Sequence, residues 1–174
     1  MRESLYGYMK WNSVGGRQWK IDGNEYEADA EDKSNAILMS PDQFLRFELS
    51  LEYKITASDG GGGIFFRYPG EGNVYNNVFK IQFSNDFGLA ADAFATGSLF
   101  SIEPPKVNAS KQTGAWNPVR LRVRAEEVEL TINGQQVLKT NAVSGEIPIK
   151  GHICLDGDVG GIVYRKMLLT ELPE

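Results

Sequence analysis

The 174-residue chain has one cysteine, Cys154, and one histidine, His152. A single cysteine excludes an intrachain disulfide, and one of each excludes a zinc site built from Cys and His. The only Cys/His catalytic pair the chain could form is Cys154 with His152. Positive charge is also scarce, with 18 Lys and Arg against 23 Asp and Glu, a net charge of -5 and a pI of about 5.0. Nucleic acids and anionic membranes need clustered cations, so neither is expected as a partner, and a neutral or cationic one suits the chain better. No run of 18 apolar residues is present, so no membrane insertion is expected. The opening MRESLYGYMK lacks the apolar core of a signal peptide. As written the chain reads as soluble and untargeted, and a mature form or an excised domain would look the same.

What is abundant is glycine and aromatic residues: 19 Gly, nine Phe, seven Tyr and three Trp. That balance favours short strands and many turns over long helices. The length suits one domain over 1–174, with a core that needs no staples. Leu45, Phe47, Leu49, Leu51, Tyr53 and Ile55 alternate with Arg46, Glu48, Ser50, Glu52 and Lys54, the period of a strand with one buried face. The same alternation appears at Phe79, Ile81 and Phe83, at Val119, Leu121 and Val123, and at Val128, Leu130 and Ile132. The last run ends in Asn133-Gly134, a strong hairpin signal. Gly60 to Gly63 read as a second hairpin, and residues 89–96 (LAADAFAT) form the one short helix candidate. Many short antiparallel strands separated by turns predict an all-β sandwich or barrel, which pattern alone does not separate.

Several residue groups could carry chemistry. Glu27, Asp29 and Glu31 stand at i, i+2 and i+4, a spacing like that of the catalytic strand of jelly-roll β-glucanases. Ala28 and Ala30 lack the bulk of a buried strand and Asp32-Lys33-Ser34-Asn35 follow, so a solvated acidic loop or edge is expected. Glu48 and Glu52 read as a charged outer face, and Arg120, Arg122 and Arg124 as cross-strand partners of Glu127 and Glu129. Arg67 ends an apolar strand in register with Phe65 and Gly63, to pair with an acid or to offer its planar fork to a ligand. His152 and Cys154 would share a strand face as ordinary strand residues. Trp116 is core or a sugar-stacking platform, with core the default. Asn108-Ala109-Ser110 fits a glycosylation acceptor by pattern, a short match that arises often by chance.

A set of stretches in order carries a resemblance. These are Trp19-Lys20-Ile21-Asp22-Gly23, residues 47–55, Gly62-Gly63-Ile64-Phe65-Phe66-Arg67, Lys80-Ile81-Gln82-Phe83, Thr96-Gly97-Ser98-Leu99-Phe100, Gly114-Ala115-Trp116-Asn117, Ile132-Asn133-Gly134, and Gly151-His152-Ile153-Cys154-Leu155 leading to Val163-Tyr164-Arg165. Together they resemble the 3-keto-disaccharide hydrolase family of the concanavalin A-like lectin/glucanase superfamily, over nearly the whole chain. The resemblance implies an antiparallel two-sheet jelly-roll sandwich whose concave sheet receives a small carbohydrate. The implied activity cleaves sugars oxidised at C3. The ketone acidifies the C2 proton, so a base can remove it and expel the C1 substituent while a donor stabilises the enolate.

By the same resemblance Arg67 is the stabiliser, Lys80, Gln82, Phe65 and Trp116 hold the sugar, and Asp158, Asp156 or His152 handles the proton. Two positions depart from the family pattern. Lys80 replaces a carboxylate, and the histidine expected after Leu155 is absent where Asp156, Gly157 and Asp158 stand. A non-catalytic carbohydrate-binding module is therefore the alternative to a hydrolase or lyase, and a purely structural surface domain is a third reading. No cofactor or metal is expected, because no dedicated calcium loop is present. The main support for either sugar reading would be the convergence of Arg67, Lys80, Gln82 and Asp156 on one concave sheet.

Overall fold

The structure, a computed structural model, describes residues 2–4, 11–15, 19–31, 36–76, 78–143 and 150–174. The 32–35 stretch and most of the opening decapeptide lie outside the described residues. The strands are β1 (Arg2–Ser4), β2 (Asn12–Gly15), β3 (Lys20–Asp22), β4 (Glu25–Ala28), β5 (Ala36–Phe44), β6 (Phe47–Ile55), β7 (Gly61–Tyr68), β8 (Phe79–Ser84), β9 (Trp116–Val123), β10 (Val128–Ile132), β11 (Gln135–Thr140), β12 (Gly151–Gly160) and β13 (Ile162–Glu171). They pair antiparallel in two sheets. The larger has the order β11-β10-β9-β6-β13-β4-β3, with β1 also along β13, and the smaller has the order β2-β5-β12-β7-β8. Among the described residues the strands form two separate sheets and no closed cylinder, the sandwich of the two expected architectures.

Strand β6 follows its sequence pattern closely: Phe47, Leu49, Leu51, Tyr53 and Ile55 are buried between the sheets, and the residues between them are half-exposed. Leu45 and Arg46 fall in the tight turn after β5. From the smaller sheet, Leu38, Ile64, Phe66, Ile81, Phe83, Ile153 and Leu155 enter the same core. Tyr53 stacks on Phe83 with ring centroids 4.1 Å apart, and Phe47 meets Phe66 edge-on at 6.2 Å, so each pair ties one sheet to the other. Such pairs add about 0.5–1.5 kcal/mol each beyond their buried area. The β10–β11 hairpin turns at Asn133 (φ 50°) and Gly134 (φ 78°), the left-handed pair its sequence predicts.

Two local expectations fail for physical reasons. Residues 89–96 form turns and no helix. The Asp92 carboxylate accepts the Phe94 amide at 2.8 Å, and Asp86 accepts both the amide and the hydroxyl of Thr96 at 2.8 and 2.6 Å. Side chains that bond nearby backbone in this way compete with helix formation. Gly60 to Gly63 form no hairpin, because the chain crosses there from the larger sheet to the smaller and Gly61, Gly62 and Gly63 lie inside β7. Their bare Cα atoms serve close approach. A Cβ on Gly62 would strike the Tyr164 hydroxyl, and one on Gly63 would strike the Ile81 carbonyl.

Candidate functional site

Alternation along the smaller sheet sends one set of side chains away from the core. Ile37, Phe65, Tyr68, Val74 and Cys154 form a second buried apolar cluster on that outer face, with Met39 and Val78 packed against it. Register places Lys80 beside Phe65 and Cys154, and Gln82 beside Gly63, Asp156 and Ile37. The residues 69–76 fold over this floor. Tyr75 meets Phe65 edge-on at 5.4 Å, and a hollow of about 220 Å³ opens between Val14, Ile37, Tyr68, Val74 and Tyr75.

The chemistry centres on Asp156. Its side chain is 1% exposed, and Oδ2 accepts a hydrogen bond from Lys80 Nζ at 2.9 Å. Its other oxygen accepts the Asp158 amide at 2.9 Å. The Lys80 ammonium, 14% exposed, lies 5.1 Å from the Phe65 ring and 5.5 Å from that of Phe100. One of its three protons is committed to Asp156, which leaves the others to a ligand oxygen. Beneath the floor, Tyr164 reaches across from the larger sheet. Its hydroxyl donates to the Asp156 carbonyl at 2.7 Å and accepts the Gly63 amide at 3.0 Å. Burial and the nearby Asp156 raise this phenol well above its ordinary pKa, so it stays a donor.

Past Asp156 the ladder is irregular: four steps along β12, to Gly160, match only two along β7, from Gly63 to Gly61. This bulge turns Asp158 out, and its Oδ2 accepts the Tyr75 hydroxyl at 2.7 Å. Burial, Asp156 and Asp158 together raise the Tyr75 pKa. Tyr75 therefore keeps its proton and orients Asp158 at the rim. Sequence reasoning missed Tyr75 and Tyr164. The signal for Tyr75 was an aromatic residue beside the turn-forming Pro69-Gly70-Glu71-Gly72-Asn73, where loops tend to carry function.

Of the residues expected in the site, Lys80, Gln82, Phe65, Asp156 and Asp158 come together and three do not. Arg67 is displaced by a second bulge. Phe65 pairs with Cys154 and Tyr68 with His152, so β7 spends three residues where β12 spends two. Arg67 is the extra residue, with φ 63°, and Tyr68 takes the outer face instead. The expected register with Phe65 and Gly63 is thereby corrected, and of the four side chains expected to converge on one face Lys80, Gln82 and Asp156 do so and Arg67 does not. Arg67 as a residue is 6% exposed, and its guanidinium crosses to the β9–β10 turn of the other sheet, where it donates to the Ala125 carbonyl at 3.0 Å and lies 5.5 Å from the Phe79 ring. We expect Arg67→Lys, which cannot reproduce this fork, to cost about 1–3 kcal/mol in urea denaturation and to leave ligand affinity unchanged. A lost affinity at unchanged stability would reverse that assignment.

Trp116 is neither core nor part of this floor. It lies on the outer face of the larger sheet, with the Arg165 guanidinium 3.7 Å and the Lys54 ammonium 4.7 Å from its ring. His152 is in the row of Tyr68 and Gln43, four residues from Asp156 along β12 or about 13 Å at strand spacing. Its Nδ1 donates to the Ser40 carbonyl at 2.8 Å, since a carbonyl can only accept. Burial and then Asp156 push the Cys154 thiol up in pKa, so no activated thiol faces the histidine.

Several other charged groups pair within the fold. Arg122 bonds Glu48 at 2.6 Å and reaches Glu129 at 3.8 Å. Glu127 meets Arg124 only through its backbone carbonyl, which corrects the expected ion pair. Asp29 pairs with Lys20 at 2.7 Å in the loop beyond the end of β4, as expected, whereas Glu27 lies within β4, an inner strand between β13 and β3, which corrects the expected loop or edge at that position. The Asn108 amide nitrogen donates to the Asp86 carbonyl at 2.7 Å and is engaged within the fold. A hollow of about 350 Å³ on the larger sheet is lined by Glu52, Arg120, Thr131 and Lys166, and its Glu52 is held by Arg165 at 2.8 Å. Among the described residues no three of His, Cys, Asp and Glu gather as metal ligands, and no helix is long and apolar enough to cross a membrane.

Similar solved structures share this architecture. A candidate glycosyl hydrolase from Parabacteroides distasonis ATCC 8503 superposes with a TM-score of 0.80 at 14% identity, over 98% of this chain and 94% of that one. Another candidate glycosyl hydrolase from the same organism gives 0.77 at 17% identity, over 91% and 93%. The carbohydrate-binding module CBM66 from Bacillus subtilis gives 0.61 at 11% identity, over 94% of each chain. At these identities the likeness is one of fold, a concanavalin A-like sandwich. No curated protein matches the chain in sequence. A family profile does match, over residues 3–170, and the chain accordingly belongs to the 3-keto-alpha-glucoside-1,2-lyase-like domain family.

Proposed function

We propose that the outer face of the five-stranded sheet binds a 3-keto-glycoside and that Lys80 and Asp158, the latter oriented by Tyr75, carry out a 1,2-elimination on it. The supporting observation is the buried Lys80–Asp156 pair set beside the Asp158–Tyr75 pair over the Phe65 ring. In this reading Lys80 donates to the C3 oxygen, where negative charge develops, and Asp156 fixes the ammonium in place. Asp158 removes the C2 proton, and the electron pair forms the enolate. Its collapse makes the C1–C2 double bond and breaks the bond from C1 to the leaving oxygen, which takes up a proton from water while Asp158 returns its own to solvent. The products are a 1,2-unsaturated 3-keto sugar and the free alcohol, so no co-reactant is needed. Water adding at C1 would make the net reaction a hydrolysis.

A second reading, sugar binding without catalysis, is favoured by the state of Asp156. Its carboxylate is buried and both oxygens are bonded, so Asp158 alone is left as base. Incubation with 3-keto-α-glucosides, followed by enone absorbance, separates the two. For the lyase, Asp158→Asn should lower turnover about 10²- to 10⁴-fold while substrate affinity stays within a few-fold. Tight binding with no product from the unaltered protein would leave only the binding reading.

A further inference from the structure

We propose that residues 85–103 form a leaving-group subsite for an aromatic ring, so that the preferred substrates are aryl glycosides rather than disaccharides. This inference rests on the sugar-binding reading of the neighbouring sheet face. Leu99 bridges to Ile81 and extends the smaller sheet past β8. The Phe100 amide donates to the Lys80 carbonyl at 2.8 Å and the Gly97 amide to the Gln82 carbonyl at 2.9 Å. Leu99 is fully buried in the core, so Phe100 projects to the opposite face, where its ring stands 5.5 Å from the Lys80 ammonium. Phe94 packs edge-on against Phe100 at 5.4 Å. The wall is thus continuous with the cation that would hold the sugar.

The segment is held firmly while its apolar side chains stay exposed. Asp86 binds Thr96 through both carboxylate oxygens, and its carbonyl accepts the Asn108 amide. Yet Phe94 is 59% exposed and Leu89 65%, with Phe87 and Ile102 also exposed. Large apolar side chains on an ordered loop beside a polar site mark a place for an apolar group. Of its polar side chains, Thr96 and Ser98 are buried and Asp92 is turned to the Phe94 amide, so the exposed surface around Phe94 and Phe100 is mainly apolar, with Ser101 at its edge. The chemistry agrees. A phenol, with a pKa of about 10, leaves more readily than a sugar hydroxyl. That suits a site whose buried carboxylate is held by Lys80 and whose Tyr75 proton is already shared with Asp158.

The test is calorimetric titration of the full chain with phenyl and methyl 3-keto-α-D-glucosides, with Asp158→Asn as background to prevent turnover. The phenyl compound should bind about tenfold tighter, the worth of one aromatic pair. Phe94→Ala should abolish that advantage and leave the methyl compound unchanged, and Phe94→Tyr should restore it. Equal affinities for the two glucosides would overturn this inference alone. Binding of neither would overturn the sugar reading with it. A Phe94-dependent dimer without phenyl preference would assign the patch to self-association and overturn the subsite.

Discussion

Lys80→Met should destabilise the fold by about 3–5 kcal/mol, because it strands the Asp156 carboxylate, 1% exposed, without its cation. Methionine nearly matches lysine in volume, so packing changes little. The loss comes from charge. The double variant Lys80→Met with Asp156→Asn should recover most of it, since a neutral amide is buried at far lower cost and its Oδ1 can still accept the Asp158 backbone N–H. Urea denaturation at constant m-value measures both. A double variant no more stable than the single one would show that the two side chains do not act as a unit. Sugar affinity separates the roles further, because the double variant should refold and still fail to bind. Stability and function therefore part company at this one pair.

Gly63→Ala should cost about 3 kcal/mol or more. The new methyl would strike the Ile81 carbonyl and stand 2.9 Å from Lys80 Cε, at a backbone φ of +154°. Backbone is one of the groups in the way, so rotamer adjustment cannot relieve the clash. The Tyr164 hydroxyl uses the Gly63 amide to support Asp156, so affinity should fall with stability. Gly72→Ala is the matched control. It has φ +80° but nothing within 4 Å, and should lose only about 1 kcal/mol, the conformational part. Comparable losses at the two positions in thermal unfolding would mean that conformation, and not space, governs β7.

The sandwich was legible in sequence because β6, β9 and β10 each bury one face against the same core, so period two survives into burial. The same logic brought Lys80, Gln82 and Asp156 to one face, since β7, β8 and β12 keep register through those positions. It failed at Arg67, because a single extra residue inverts which face every later side chain takes, and no residue type announces the insertion. It failed at Trp116 because a tryptophan pressed between Arg165 and Lys54 on an outer face has the composition of a core residue and the surroundings of a surface one. Residues 85–103 were opaque for another reason. Their order comes from Asp86, Thr96, Asn108 and Ser110, partners up to 24 positions apart, which no local window contains.

The irregularity at Arg67 makes the two ends of β7 run in opposite phase. Loss of Arg67 would remove the extra residue and bring the phases back together, leaving Tyr68 on the ligand side and the Ala125 turn without its guanidinium. One codon thus governs how the two sheets are tied at this corner while the furnishing of the ligand face stays as it is.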